Sequence, residues 1–262
     1  MQKIKRKEQM TAVGYALISF AVLLLVWYWA VTYTALGKMM AGPLAVLKAF
    51  FIGFVKPLGK YTLLVHTLYS LYRVLVGYLL CAAVGIVLGI LMGRVRLIDA
   101  IVRPVFNLIR PIPGVAWIPL AILWFGIGEK TKYFIIFMGG FANVLLNTYE
   151  GSKTVDTRLI GAAEMLGANK RQVFTYIVLP ATVPYIFAGL QVALSTCWMA
   201  VLAAEMVCAT EGVGYLINAG MNAANTTQIL IGMVSIGLVG LLLASMMRSL
   251  ERRLCAWKIK GT

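Results

Sequence analysis

Acidic residues are scarce in this chain: nine Asp and Glu stand against 24 Lys and Arg in 262 residues. Charged residues of both signs make up 13%, where soluble domains average about 25%. A water-exposed surface needs more charge than that, so an ordinary soluble domain is excluded. The single histidine, His66, excludes an H-E-x-x-H zinc helix and a two-histidine relay. No G-x-x-x-x-G-K-[ST] stretch is present, so the chain cannot cradle nucleotide phosphates by that route. Cys81, Cys197, Cys208 and Cys255 form no C-x-x-C pair, which leaves free thiols as the expectation, with no metal site and no bound cofactor. Ser195 has no base at a readable spacing. No internal repeat and no low-complexity tract is visible, and the chain by itself does not read as an enzyme.

What the chain does have is apolar length. Hydrophobic residues make up 61%, gathered in runs long enough to cross a bilayer, which takes about 20 residues each. Approximate spans fall at 11–33, 63–93, 105–127, 133–149, 180–204 and 228–247. The expected fold is all-α: a polytopic membrane bundle of about six helices, a single transmembrane domain over 1–262. Basic residues flank these spans instead of forming one patch, which fits the lipid bilayer as a partner and argues against nucleic acid.

Lys3, Lys5, Arg6 and Lys7 precede the first apolar run, which is too long for a signal peptide core of about 7–15 residues. An uncleaved first span follows, with Trp27, Tyr28 and Trp29 near its outer end. Residues 34–60 read as an external connection with a short helix near Leu44–Val55. The start of the second span, from His66, reads as interfacial or tilted. Gly85, Gly89 and Gly93 recur every four residues, a stripe that lets helices pack closely in lipid. Arg94, Arg96 and Arg103 mark an inner loop. Pro111, Pro113 and Pro119 predict that the third segment is broken and faces protein, because backbone groups freed by proline must be satisfied there. Residues 205–227 read as an outer loop with a short helix.

Proposed inner segments hold most of the Lys and Arg, including Lys153, Arg158, Lys170, Arg171, Arg248, Arg252, Arg253, Lys258 and Lys260. Outer ones hold Lys38, Lys48, Lys56, Lys60, Lys130 and Lys132. This bias puts both termini and residues 157–176 in the cytoplasm.

Polar residues inside spans are costly and mark candidate pathways. Gln191, Ser195, Trp198 and Glu205 lie at i, i+4, i+7 and i+14 of the fifth span, one helix face. Asn143, Asn147 and Glu150 form a similar stripe on the fourth. Either stripe can line a translocation passage or simply bond helix to helix; Glu205 is also compatible with the outer rim. Arg110 can draw an anion into a cavity or snorkel to the inner surface. Arg73 is open in the same way near the outer surface, and His66 reads as interfacial.

The most informative stretch is GAAEMLGANKRQVFTYIVLP, 161–180. Leu159, Ala162, Ala163 and Leu166 recur at i, i+3, i+4 and i+7, one face of a helix. Gly167 supplies a left-handed stop. Asn169 caps a second helix, with Gln172 completing a capping box, and Pro180 starts the next span. Helix, sharp turn, second helix and membrane entry follow from these residues alone.

The spacing Ala162-Ala163, Gly167, Ile177, Leu179-Pro180 resembles the cytoplasmic loop signature of permease subunits of type I ABC importers, with Gly161 where that signature has Glu. The stretch RPIPGVAWIPLAILWFGIG, the outer loop and the basic tail resemble the branch handling nitrate, bicarbonate, sulfonates and taurine. The resemblance implies an ATPase-docking element formed by Leu159, Ala162, Ala163, Glu164, Leu166, Gly167, Ala168 and Asn169. It also implies a second permease copy, two cytoplasmic ABC ATPases that bind ATP and Mg, and an extracytoplasmic solute-binding protein. The location is a bacterial plasma (inner) membrane, and the expected cargo is a small organic or inorganic anion. A permease for vitamin precursors stays open, as does a self-contained secondary transporter.

Overall fold

A computed structural model describes residues 2–254, which form helices joined by short connections, with no strand among them. Cys255, Lys258 and Lys260 lie outside the described residues, as do the side chains of Lys3, Lys5, Arg6, Lys7 and Lys38. The helices are α1 (Gln2–Tyr33), α2 (Pro43–Gly53), α3 (Leu63–Arg94), α4 (Arg96–Ile109), α5 (Ile118–Phe125), α6 (Glu129–Lys153), α7 (Thr157–Met165), α8 (Lys170–Val173), α9 (Leu179–Cys208), α10 (Val213–Asn222) and α11 (Thr226–Leu254).

Four stretches are long and apolar enough to cross a membrane: Gly14–Tyr33, Leu63–Arg94, Lys170–Cys208 and Thr226–Arg253. The third expected span is broken, as its prolines require. Arg96–Ile109 and Gly114–Phe125 meet at 89° and would count together as a fifth. α6, the remaining expected span, has 25 residues, about 37 Å of helix, but is too polar to pass on composition. Much of its surface is buried against protein, so it has little need of a lipid-compatible face.

α3 runs as one helix from Leu63 to Arg94 and coincides with the expected span 63–93. Two boundaries differ from expectation. The inner loop expected around Arg94–Arg103 is helical, with only Val95 between α3 and α4. Glu205 belongs to α9 and not to the following connection, which begins at Ala209. In each case charge near a span end suggested a loop, whereas the charges are carried on helix.

The chain divides into two compact units, Met1–Leu64 with Leu216–Val234 and Val65–Tyr215 with Ser235–Thr262. In the first, Phe50, Leu63, Leu216 and Ile231 make a small core with Ala49, Leu58 and Val234. The side chain of Gln228 donates to the Leu216 carbonyl at 3.0 Å.

The second unit is built on α6. One side of α6 receives α3 along a four-residue seam. A Cβ at Gly77 would lie 2.5 Å from Ile136, at Gly85 2.9 Å from Val144, at Gly89 2.7 Å from Thr148 and at Gly93 2.7 Å from Ser152. Those partners themselves recur every four residues. Absent side chains let the two backbones touch, so contact, not flexibility, explains the stripe. Cys81 fills the remaining seam position and faces Gly140 and Cys197, with sulfurs 4.0 Å apart. Cys81, Cys197 and Cys208 are free and buried. Val74, Ile136, Val144, Ala193, Trp198 and Val201 form the core between α3, α6 and α9.

Candidate functional site

The hairpin 156–178 is built by local rules. Asp156 caps α7 by accepting from the Arg158 N–H at 2.8 Å. Gly167 sits at φ +87°, where a side chain would be strained, and turns the chain after α7. Asn169 accepts from the Gln172 N–H at 2.9 Å while Gln172 accepts from the Asn169 N–H at 2.8 Å, a complete capping box. α8 then runs through a π-turn (Phe174–Val178) into α9 without leaving helix. Pro180 and Pro184 lack the N–H groups a regular ladder would use there.

The two sides of the hairpin differ. Val155, Val173 and Val178 are buried against Ile160, Ala163, Ala168 and Ile177. Met165 and Leu166 are 85% and 89% exposed, and Leu159 and Tyr176 are also exposed. Ala162 and Glu164 lie on the open side. Ala163 therefore packs inward and does not share an exposed face with Ala162 and Leu159, because the inward stripe runs Ile160–Ala163 instead. A hollow of about 290 Å³ opens between Ala163, Leu166, Gly167, Gln172 and Tyr176. A Cβ at Gly161 would meet nothing within 4 Å. Glu164 lines a second hollow of about 410 Å³ with Arg94 and Lys170.

The polar stripe on α9 divides. Gln191 is half-buried, and the exposed Ser195 hydroxyl donates back to the Gln191 carbonyl at 3.4 Å. Trp198 is buried, its indole N–H donating to the Ile236 carbonyl at 3.2 Å. Glu205, near the C-terminal end of α9, is fully buried. On α6, Asn143 donates to the Thr196 hydroxyl oxygen at 3.2 Å, whereas Asn147 donates to the Asn143 carbonyl at 2.8 Å and lies against Gly189. Thr196 was not legible as a site residue, since it sits one position off the expected stripe. Asn143 and Thr196 line a hollow of about 350 Å³ with Arg110, while Glu150 lines a neighbouring one of about 230 Å³.

Sequence reasoning missed a buried ionic cluster. Arg73, 1% exposed, donates to Glu129 at 2.7 Å, to Glu205 at 2.9 Å and to Glu211 at 2.5 Å. Glu205 also accepts from the Ser70 hydroxyl at 2.8 Å and the Gly214 N–H at 3.0 Å. Ser70 accepts from the Val213 N–H, and the His66 Nδ1 accepts from the Gly212 N–H at 3.0 Å. His66 is thus buried within the protein, and Arg73, also buried, does not snorkel. Gly212, at φ +114°, has the Glu205 carboxylate where a Cβ would stand. Lys132 adds a second cation on Glu129 at 2.8 Å. Burial raises the Glu211 carboxyl, but the Thr210 hydroxyl and the Arg73 guanidinium outweigh it and hold it below the usual carboxylate range. The available signal was an arginine and a glutamate each placed in or at the end of an apolar run. Among the described residues no three His, Cys, Asp or Glu are grouped as a metal would need.

Comparison with known proteins gives the following. The family model for the inner membrane component of binding-protein-dependent transport systems matches residues 85–255. A putative ABC transporter permease of Methanocaldococcus jannaschii is 41% identical over 215 residues, 82% of this chain and 80% of that protein. The taurine transport system permease of Escherichia coli is 33% identical, covering 91% and 88%. A nitrate import permease of Synechocystis is 33% identical, covering 89% and 86%. Among solved structures, a chain of the MetNI methionine ABC transporter in inward-facing conformations superposes with a TM-score of 0.62 at 20% identity, over 72% of this chain and 95% of that one, a likeness of fold.

Proposed function

The chain belongs to the inner membrane components of binding-protein-dependent transport systems and is a multi-pass permease subunit of an ABC importer; on that premise we propose that the hairpin 157–176 docks a cytoplasmic ATPase. The observation that carries this is bare Met165 and Leu166 beside a hollow, at the end of a short helix that precedes the long apolar stretch Lys170–Cys208, in a hairpin fixed by its own caps. Exposed apolar residues of that size, set around a groove, suit the insertion of a partner's complementary surface. Gly167 and the capping box hold the two short helices at a fixed angle, so force applied to the hairpin passes into α9 along continuous helix.

The rest of the proposal follows the same logic. The ATPase binds ATP and Mg, since this chain has no phosphate loop. Two permease copies form the passage, an extracytoplasmic binding protein delivers the solute, and the hairpin faces the cytoplasm, as do both termini, in line with the basic residues of those segments. Relatives named for taurine, aliphatic sulfonates and nitrate support a small anion as cargo.

Leu166→Glu tests docking, because Leu166 packs against almost nothing in this chain. Burying an unpaired charge in an interface costs several kcal/mol, so co-purification of the ATPase should fall by about tenfold or more. A normal complement of ATPase on the Leu166→Glu chain would remove the hairpin from the docking role. Ala163→Glu is a poorer test, since Ala163 also packs inside the hairpin.

A further inference from the structure

The hollows on α6 form one groove. The larger, about 350 Å³, and the smaller, about 230 Å³, share Phe106, Arg110 and Leu146. On α6 the lining runs from Met138 through Asn143 to Lys153, about 22 Å of helix. The floor of the larger hollow is set by glycine. A Cβ at Gly114 would lie 3.1 Å from the Gly139 backbone, and one at Gly139 would lie 2.8 Å from the Ala200 Cβ. The corner between α4 and α5 is thereby pressed onto α6 and α9, and the proline-driven bend leaves Arg110, the residue that follows α4, standing where the hollows adjoin.

The cations of this unit are not equivalent. Arg73 is held by three carboxylates. Arg103 is engaged by Asp99 and Tyr149. Lys153 lies over the Tyr149 ring, beside Glu150. Arg110 has no carboxylate within ion-pair distance among the described residues. Asn143 uses one N–H on Thr196 and has another for a ligand. Beyond Arg110, Asn143 and Thr196, the larger hollow is walled chiefly by apolar groups, with Phe106, Ile109, Phe141, Leu146 and Met199, while the smaller one carries the charged Arg103, Glu150 and Lys153. A guanidinium without an acidic partner, an amide donor and an apolar wall suit an anionic head joined to a short apolar body. A bare inorganic anion would leave those walls unused, and 350 Å³ falls at the lower end of the ~300–1,000 Å³ typical of small-molecule sites.

We infer that this groove is the permease's own substrate-selecting site for a small organic oxyanion of sulfonate type, with Arg110 binding the head group and Asn143 orienting it. The inference rests on the importer reading and adds to it a site and a preference. Charge-assisted bonds between guanidinium and oxyanion are directional and strong, so selection follows from Arg110, and the apolar walls discriminate against ions with no body.

The test uses the assembled permease–ATPase complex in nanodiscs without binding protein, and radiolabelled ethanesulfonate as the probe. Saturable binding is expected, displaced poorly by nitrate and bicarbonate. Arg110→Gln should weaken it by about tenfold or more, Arg110→Lys should recover part of the loss, and Ala142→Phe, which fills the groove, should abolish it. Three results would overturn the inference: no saturable binding by an assembled wild-type complex, unchanged binding by Arg110→Gln, or nitrate competing as well as unlabelled ethanesulfonate. A wild-type chain that captures no ATPase would instead sink the importer reading, and this inference with it.

Discussion

The hairpin 156–178 and the cluster around Arg73 lie at opposite ends of α9 and obey opposite rules. The hairpin is local: its cap, left-handed glycine and capping box all lie within residues 156–172, each side-chain bond joins residues two or three apart, and its largest apolar side chains face outward. The cluster is non-local. Arg73 meets Glu129, Glu205 and Glu211 across separations of 56, 132 and 138 residues, and the arginine is buried. One region leaves its largest apolar side chains exposed. The other binds α3, α6, α9 and the connection after α9 into one body. The contrast teaches that the hairpin end keeps its shape through its own caps, while the far end holds distant helices together through ion pairs.

The largest expected effect comes from breaking the cluster. Arg73→Ala would leave the fully buried Glu205 carboxylate without its cation. Removing one partner of a buried ion pair costs about 3–5 kcal/mol. The detergent-solubilised variant should unfold at a markedly lower temperature and show new protease cuts in residues 209–215. A wild-type melting curve for Arg73→Ala would mean the cluster is ornamental and the contrast between the two ends false.

Asn169→Ala should do less. Loss of an N-cap costs about 1 kcal/mol, here confined to α8, so global unfolding should hardly move. Hydrogen exchange at Lys170–Val173 is the sensitive readout, with faster exchange expected at Gln172, whose N–H loses its acceptor. Global destabilisation comparable to Arg73→Ala would show that the hairpin is not an independent element.

The smallest effect is in pH. Glu211 has its carboxyl held below the ordinary range in the folded chain, net of burial, by Thr210 and Arg73. A depressed folded value means its stabilisation is complete above the unfolded pKa of about 4.3 and is lost as pH falls through the lower folded value. Stability should therefore decline on acidification below about pH 4, and Glu211→Gln should flatten part of that decline. An unaltered acid limb in Glu211→Gln would detach Glu211 from the cluster's energetics.

Several site residues read differently once packing is known. The i+4 and i+7 spacing of Gln191, Ser195 and Trp198 does put them near one face. Yet α9 has neighbours on several sides, so Trp198 is sealed by Ile236 while Ser195 stays exposed. Thr196, a residue off the stripe, is the one that meets Asn143. Periodicity locates a face but not the helix that covers it. The same gap explains Ala163, which shares its helix with exposed Leu159 yet packs against Val155 and Val173.

By itself the sequence determined what depends on short range or on solvent. Apolar length gave the long spans, because a bilayer rewards about 20 apolar residues whatever their partners. Prolines gave the break at 110–113, since their missing N–H groups act on their own helix. Gly167, Asn169 and Gln172 gave the hairpin, whose bonds span three residues or fewer. Tertiary structure alone decided the ionic cluster, the pairing of the α3 glycine seam with Ile136, Val144, Thr148 and Ser152, and the joining of two hollows at Arg110. Each of these needs helices far apart in the chain to arrive side by side, and a charge in an apolar run does not say which distant charge will neutralise it.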